Sequence, residues 1–413
     1  MVLRYQRALE FLFPRTTTIK FGLDTTRSLL SSLGNPERLF ATIHVGGTNG
    51  KGSVAILIAE VLRRSGWKVG LYTSPHLCSF RERMVVDGEP ISEAAVGMWT
   101  ERLRPEIERL GATFFEATTT MALADFAARG VEVAVLEVGL GGRLDSTNVV
   151  RPLVSGVTNV ALDHQKYLGD SIEQIAREKA GIAKPGVPFV IGEPDPTRAR
   201  LMAGEAHRAM RQQEADGDCE ILVVDPEESW TDPLGLAGPH QRRNAVLARV
   251  MLEELTAPYR PATEQVAEGF AAARAPGRLD RRGRWLFDVA HNPDGMEALG
   301  AALAADPPAR PLHALVSILG DKRWADMLVS LDRHVDLGIL TLAPTAAERG
   351  WRPEWLDNWL ARADRPPARA EWHLVADFEA AVERVQQGAG TVLVTGSFHT
   401  VGDVMGRLGL GPI

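Results

Sequence analysis

Gly46-Gly47-Thr48-Asn49-Gly50-Lys51-Gly52-Ser53 is the stretch from which the rest of the chain is read. Before it, Ala41-Thr42-Ile43-His44-Val45 has the apolar run of a short buried strand. After it, Val54, Leu57, Ile58, Val61 and Leu62 recur at helical spacing, and Gly66 stands where a helix C-cap is expected. Strand, glycine-rich turn and helix in that order form the context of a phosphate-binding loop. Glycines let backbone N–H groups approach phosphate oxygens, and a helix N-terminus adds partial positive charge. On this reading Gly47, Thr48, Asn49, Gly50, Lys51, Gly52 and Ser53 surround a nucleotide's phosphates. Lys51 reaches the β- and γ-phosphates, and Ser53 lies near their magnesium ion. The stretch departs from the common spacing G-x-x-x-x-G-K-[ST], because Val45 replaces the first glycine and Gly52 the hydroxyl residue. The competing reading is a glycine-rich turn in an ordinary α/β fold.

Working outward, strands are expected at 68–73, 131–137, 153–158, 187–191 and 221–224. Helices are expected at 21–39, 92–110 and 197–214, and just after Phe115-Glu116. The near-continuous apolar run of 131–137 suits a strand buried on both faces of a parallel sheet. Ser171-Ile172-Glu173-Gln174 reads as a capping box opening a helix that carries Lys179. By position alone Lys179 reads as a surface lysine. Arg81, Glu82 and Arg83 read as solvated charges or loop anchors. His240 opens a further helix, and Thr263 is the expected cap of the next. Ala275 to Gly283 combines Pro, Gly and dense charge, which predicts a linker at 276–283 between domains at 1–275 and 284–413. Beyond it Asn292 and Pro293 suit N-cap and N1 of a helix, and strands are expected at 285–289, 312–318, 337–342 and 391–395. The fold class expected is α/β: an N-terminal P-loop domain with a mostly parallel sheet, then a smaller Rossmann-like domain.

In open parallel sheets ligands sit beyond the carboxyl ends of the strands. The phosphate loop, Ser74, Glu137 and His164 each lie at or just after such an end. Their chemistry suits magnesium better than zinc. With 413 residues and a formal net charge of −7, the chain is long enough for two or three domains and lacks the basic balance of a nucleic-acid binder. Cys78 and Cys219 are its only cysteines, which excludes a disulfide framework and a thiolate metal site. No apolar run is long enough for a membrane span, and no signal-peptide pattern opens the chain. A cytoplasmic monomer is expected.

Many short motifs in one order carry a resemblance. Ile43-His44-Val45 leads into the phosphate loop. Thr73-Ser74-Pro75-His76-Leu77 is followed by Arg81-Glu82-Arg83. Later come Gly139 to Asn148, Glu178-Lys179-Ala180-Gly181-Ile182, Pro276-Gly277-Arg278, Asp288-Val289-Ala290-His291-Asn292-Pro293, Gly320-Asp321-Lys322 and Thr395-Gly396-Ser397. Together they resemble folylpolyglutamate synthase and dihydrofolate synthase, within the Mur ligase superfamily.

The resemblance implies an ATP-dependent ligase that activates a folate carboxylate as an acyl phosphate and joins it to L-glutamate. Dihydropteroate and tetrahydrofolate or its polyglutamates are the implied acceptors. It implies that Asn244, Arg278 and Asp288 contact ATP, with His291 close to the nucleotide. Phe115, Glu116, Leu144, Asp145 and Ser146 are implied substrate contacts, with Asp145 hydrogen-bonding a pterin. Ser74, Glu137, His164 and a carbamylated Lys179 are the implied ligands of two magnesium ions, and a monovalent cation is a further possibility. Closure of the two domains over ATP and the amine acceptor is expected. Two other readings stay open. A Mur-type ligase of cell-wall precursors would share the ATP machinery, but its extra N-terminal domain is not expected here. A nucleotide switch without ligase chemistry would hydrolyse ATP without needing glutamate.

Overall fold

The computed structural model describes residues 2–213, 220–361 and 369–412; Cys219 lies outside them. The chain divides into two compact units. The first comprises Met1–His76, Arg81–Leu234 and Arg242–Ala273, and the second Leu77–Phe80, Gly235–Gln241 and Arg274–Ile413. Among the described residues no helix is long and apolar enough to cross a membrane.

The first unit is built on an eight-stranded sheet. Its strands are β1 (Ala41–Gly46), β2 (Val69–Tyr72), β3 (Met84–Val86), β4 (Glu89–Pro90), β5 (Val133–Glu137), β6 (Val154–Val157), β7 (Phe189–Ile191) and β8 (Ile221–Val223). They lie in the order β4-β3-β2-β5-β1-β6-β7-β8. All neighbours are parallel except at the β2–β3 and β3–β4 edge, which is antiparallel. β5, β6 and β7 are buried along their whole length, and their sequences are correspondingly apolar.

Local signals place the helices. Lys51–Arg64 starts at Gly50 (φ +85°) and ends just before Gly66 (φ +93°). Phe114–Ala128 opens on a Thr113–Glu116 capping box, and Ile172–Ala180 on the expected Ser171–Gln174 box. Thr263, expected as a cap, is instead the first helical residue. Ala262 precedes it, and its N–H donates to Gln265 Oε1 at 2.8 Å.

The second unit carries a six-stranded sheet of β9 (Asp280–Arg282), β10 (Trp285–Phe287), β11 (Leu312–Val316), β12 (Leu337–Leu340), β13 (Glu371–Leu374) and β14 (Thr391–Thr395). The order is β13-β12-β11-β14-β10-β9, parallel except for β9 against β10. Asn292 caps Pro293–Ala305 by accepting from Gly295 N, as its position suggests.

Three of the strands absent from the sequence reading are edge elements or hairpin arms. β4 has two residues, β9 lies inside the charged stretch read as a linker, and β13 is Glu371-Trp372-His373-Leu374. An edge strand is buried on fewer sides, so it lacks the apolar run that marks a central one. β3 was also missed; it is three residues long, too short for a periodic signal.

β13 is anchored by its tryptophan. Trp372 lies opposite Gly338 in the β12–β13 register, and its indole Nε1 donates to Asp332 Oδ1 at 2.8 Å. A Cβ at Gly338 would stand 2.1 Å from the indole ring. Gly338→Ala is therefore expected to lower the unfolding free energy by about 1–3 kcal/mol, the usual cost of overpacking. Urea titration followed by tryptophan emission measures it, and an unchanged midpoint would contradict the packing described.

Candidate active site

The parallel pairing of β1 with β5 and β6 brings their carboxyl ends together, and the glycine-rich loop leaves β1 there. Gly47 has φ +135°, and a Cβ on it would lie 1.8 Å from Thr158 Oγ1. Gly50 has φ +85°, and a Cβ would lie 2.6 Å from the Asn244 amide oxygen. Both positions thus exclude any side chain by conformation and by space. The loop is held from β6. Thr48 N donates to the Asn159 carbonyl (3.0 Å), Asn49 N to Asn159 Oδ1 (2.9 Å), and Ala161 N to Thr48 Oγ1 (3.0 Å). Two loop amides are therefore engaged. The first turn of Lys51–Arg64 follows directly, and the amides of a helix's first turn have no intrahelical acceptor and point toward an anion placed before it. Ser53 is buried in that turn, and Lys51 Nζ donates to the Thr48 carbonyl at 3.0 Å.

Glu137 ends β5 and is buried, with Oε2 accepting from Ser74 N at 2.9 Å. A Cβ at Gly52 would stand 3.4 and 3.5 Å from its two carboxylate oxygens. Those distances are ordinary van der Waals contact, so the carboxylate packs directly against the first turn of the helix.

Lys179 is not on the surface. It is 4% exposed, and Nζ donates to the Gly47 carbonyl at 2.8 Å. Burial, reinforced by Lys51, lowers its pKa to about 7. His164 is placed differently. It has φ +52°, an exposed side chain, and Nε2 3.9 Å from Asp163 Oδ2. Among the described residues no three His, Cys, Asp or Glu side chains gather as a metal-binding group.

Of the implied substrate residues, Phe115 and Glu116 open the helix Phe114–Ala128, and Leu144, Asp145 and Ser146 lie in the segment after β5. The Phe115 ring lies over Gly139, where a Cβ would come within 2.3 Å of it, and packs 6.0 Å from the Tyr72 ring. Glu116 is buried in its capping box, where Oε2 accepts from Thr113 N at 2.7 Å. Asp145 is also turned inward. Oδ2 accepts from Leu140 N (2.8 Å), and Oδ1 from Thr147 N (3.0 Å) and Thr147 Oγ1 (2.5 Å). Burial raises its pKa, and these hydrogen bonds oppose the rise. Ser146 is buried beside it and Leu144 half-buried. Arg143 fastens the loop to the Lys179 helix through Glu178 at 2.7 Å.

In the second unit, Asp288 Oδ2 accepts from Leu279 N at 3.0 Å and Oδ1 from Ala290 N at 2.9 Å. The Arg278 guanidinium lies 5.2 Å from the Phe398 ring centroid. His291 packs on the same ring, with Nδ1 2.9 Å from the Val289 carbonyl. Asn244 belongs to the first unit.

Residues 45–252 match the Mur ligase middle domain, and residues 277–398 the Mur ligase glutamate ligase domain. The chain is 34% identical over 400 residues to the dihydrofolate synthase/folylpolyglutamate synthase of Escherichia coli K12, covering 94% of this chain and 91% of the relative. It belongs to the folylpolyglutamate synthase/dihydrofolate synthase family. It is also 33% identical to a probable bifunctional folylpolyglutamate synthase/dihydropteroate synthase of Haloferax volcanii. That match covers 97% of this chain, which spans only 50% of that longer protein. The bifunctional folylpolyglutamate synthase/dihydrofolate synthase of Yersinia pestis, solved with AMPPNP and Mn ion, superimposes with a TM-score of 0.80 at 31% identity, covering 95% of this chain and 94% of that one.

Within this family member several groups at the site were not singled out from sequence. Asn159 supports two loop amides, and Glu193 steadies the same segment by accepting from Val160 N at 2.7 Å. Asn159 follows a strand end, as Ser74 does, and that position was the available signal. Glu193 offered none. Asp145→Ala would strand the Leu140 and Thr147 amides in a buried loop. A stability loss of about 1–3 kcal/mol is expected, read by urea unfolding, and Asp145→Asn should recover part of it.

Proposed function

We propose that this chain is an ATP-dependent amide ligase that joins L-glutamate to folates, acting on both dihydropteroate and tetrahydrofolate or its polyglutamates. The observation that carries the reading is the convergence on one sheet edge of an anion-binding helix N-terminus, Lys51, a buried carboxylate and a buried lysine, in a chain of this family. A substrate carboxylate attacks the γ-phosphorus and ADP leaves, giving an acyl phosphate. The amine of L-glutamate then attacks the acyl carbon and phosphate departs. Such chemistry asks the protein chiefly to position and to neutralise charge. Lys51 and the first-turn amides hold the transferring phosphate. Gly139 and Phe115 shape the wall along which the folate lies, with Glu116, Leu144, Asp145 and Ser146 behind it. Arg278, Asp288 and His291 of the second unit are assigned to the nucleotide, as is Asn244 of the first.

The donor chemistry fits magnesium. Glu137 and the Ser74 hydroxyl are hard oxygen ligands beside the phosphate loop, with His164 a further candidate. A divalent ion held there supplies charge neutralisation to the phosphates. Lys179 is proposed to complete the set as a carbamate. Its amine adds to carbon dioxide, an N–C bond forms, a proton is lost, and an anionic group with two oxygens results. Burial against a carbonyl, with no carboxylate hydrogen-bonded to Nζ, favours an uncharged amine before the reaction.

ADP release should require a folate and L-glutamate together. Release independent of glutamate would favour the nucleotide-switch reading. Lys51→Ala should lower ligase turnover at least about 100-fold, roughly 2.7 kcal/mol of barrier, while leaving the thermal midpoint in place. Activity within about tenfold of the parent would refute the phosphate-loop assignment. Lys179→Ala should be inactive and regain measurable activity with added short-chain carboxylates. Density for a bare ammonium in crystals grown with magnesium, ATP and bicarbonate would dismiss the carbamate.

A further inference from the structure

Arg83 was expected in solvent or as a loop anchor, yet it is 7% exposed. Its backbone carbonyl accepts from Thr73 N at 3.1 Å, which fixes it beside the carboxyl end of β2. Ser74 follows at once, and Ser74 N donates to Glu137. The guanidinium Nε donates to His76 Nδ1 at 2.8 Å, and the group lies 5.1 Å from the Phe114 ring centroid. Among the described residues no carboxylate lies within ion-pairing distance of Arg83, and Nη1 and Nη2 donate to no acceptor. Glu137 and Tyr72 lie near enough to act on it electrostatically without pairing with it.

The guanidinium belongs to a residue only 7% exposed, and its two NH₂ groups are left to a bound acceptor. Nature's usual occupant of that fork is a planar carboxylate held bidentately. Phe114 stacks with Phe13 at 5.8 Å, and Phe13 lies 6.3 Å from His76, so flat rings flank the fork. Phe13 is itself exposed. The surroundings suit an aromatic carboxylate whose charged end lies beside Ser74 and Glu137.

We infer that Arg83 binds the folate carboxylate that is to be activated, setting it beside the phosphate loop and selecting a carboxylate over its neutral amide. This rests on the folate-ligase reading above. Arg83 pairs with the carboxylate oxygens before phosphoryl transfer, and Lys51 serves the phosphate.

The test compares binding of dihydropteroate and its carboxamide to the full-length wild type, Arg83→Met and Arg83→Lys, each checked by thermal unfolding. The wild type should prefer the carboxylate. Arg83→Met should weaken dihydropteroate about 10- to 100-fold, the range of a charge-assisted pair, leave the carboxamide within about twofold, and leave the KM for ATP unchanged. Arg83→Lys keeps the charge without the fork and should lose less. It also provides the reading if Arg83→Met does not fold. Retained preference in both variants would overturn the assignment. So would equal losses for carboxylate, carboxamide and ATP, which would mark a structural residue. A wild type that binds neither compound would instead refute the folate reading itself.

Discussion

The parallel pairing of β1 between β5 and β6 is the constraint on which the site depends. Parallel neighbours present the same ends to the same edge, so whatever follows β1, β5 and β6 must meet. The glycine loop, Glu137 and the Asn159 segment follow those strands, and β2 adds Ser74 on the far side of β5. Burial on both faces makes the pairing hard to shift, because a slip would misplace apolar side chains on two packed layers at once.

A second tie works across layers. The Lys179 Nζ bond to the Gly47 carbonyl joins the helix Ile172–Ala180 to the phosphate loop, while Arg143 and Glu178 join the same helix to the loop after β5. Gly142 and Gly181 permit that docking. A Cβ at Gly142 would meet the Glu178 carbonyl at 2.8 Å, and one at Gly181 the Arg143 Cβ at 2.3 Å. The glycines of this region therefore serve close approach of backbone to backbone, and loop flexibility does not account for them.

Buried polar groups divide into two kinds here. Glu116, Asp145 and Glu193 are satisfied by backbone amides and hold loops in shape. Lys179 and Arg83 keep cationic or amine chemistry in reach of the sheet edge, without a carboxylate hydrogen-bonded to either. The first kind stabilises the apo fold through hydrogen bonds that replace water. The second is less fully satisfied within the protein: Lys179 Nζ donates to one backbone carbonyl and Arg83 Nε to one imidazole nitrogen.

By itself the sequence determined what periodicity and local chemistry can encode: the central strands, the Ser171–Gln174 capping box, the Asn292 cap, the glycine-rich turn between β1 and its helix, and the family. Edge strands escaped because half-buried positions dilute the apolar signal, as Glu371-Trp372-His373-Leu374 shows. Only the tertiary structure decided which charges are buried. Lys179 sits on a helix whose spacing is that of an exposed one, and Arg83 lies in a run of charges. Each is buried by elements more than thirty residues away in sequence, Gly47 for one and Phe114 for the other. Likewise, whether Asp145 faces a ligand or its own loop depends on hydrogen bonds to Leu140 and Thr147 that residue spacing does not reveal. Burial and partner choice are properties of the packed layers, so they become definite only once the strands have paired.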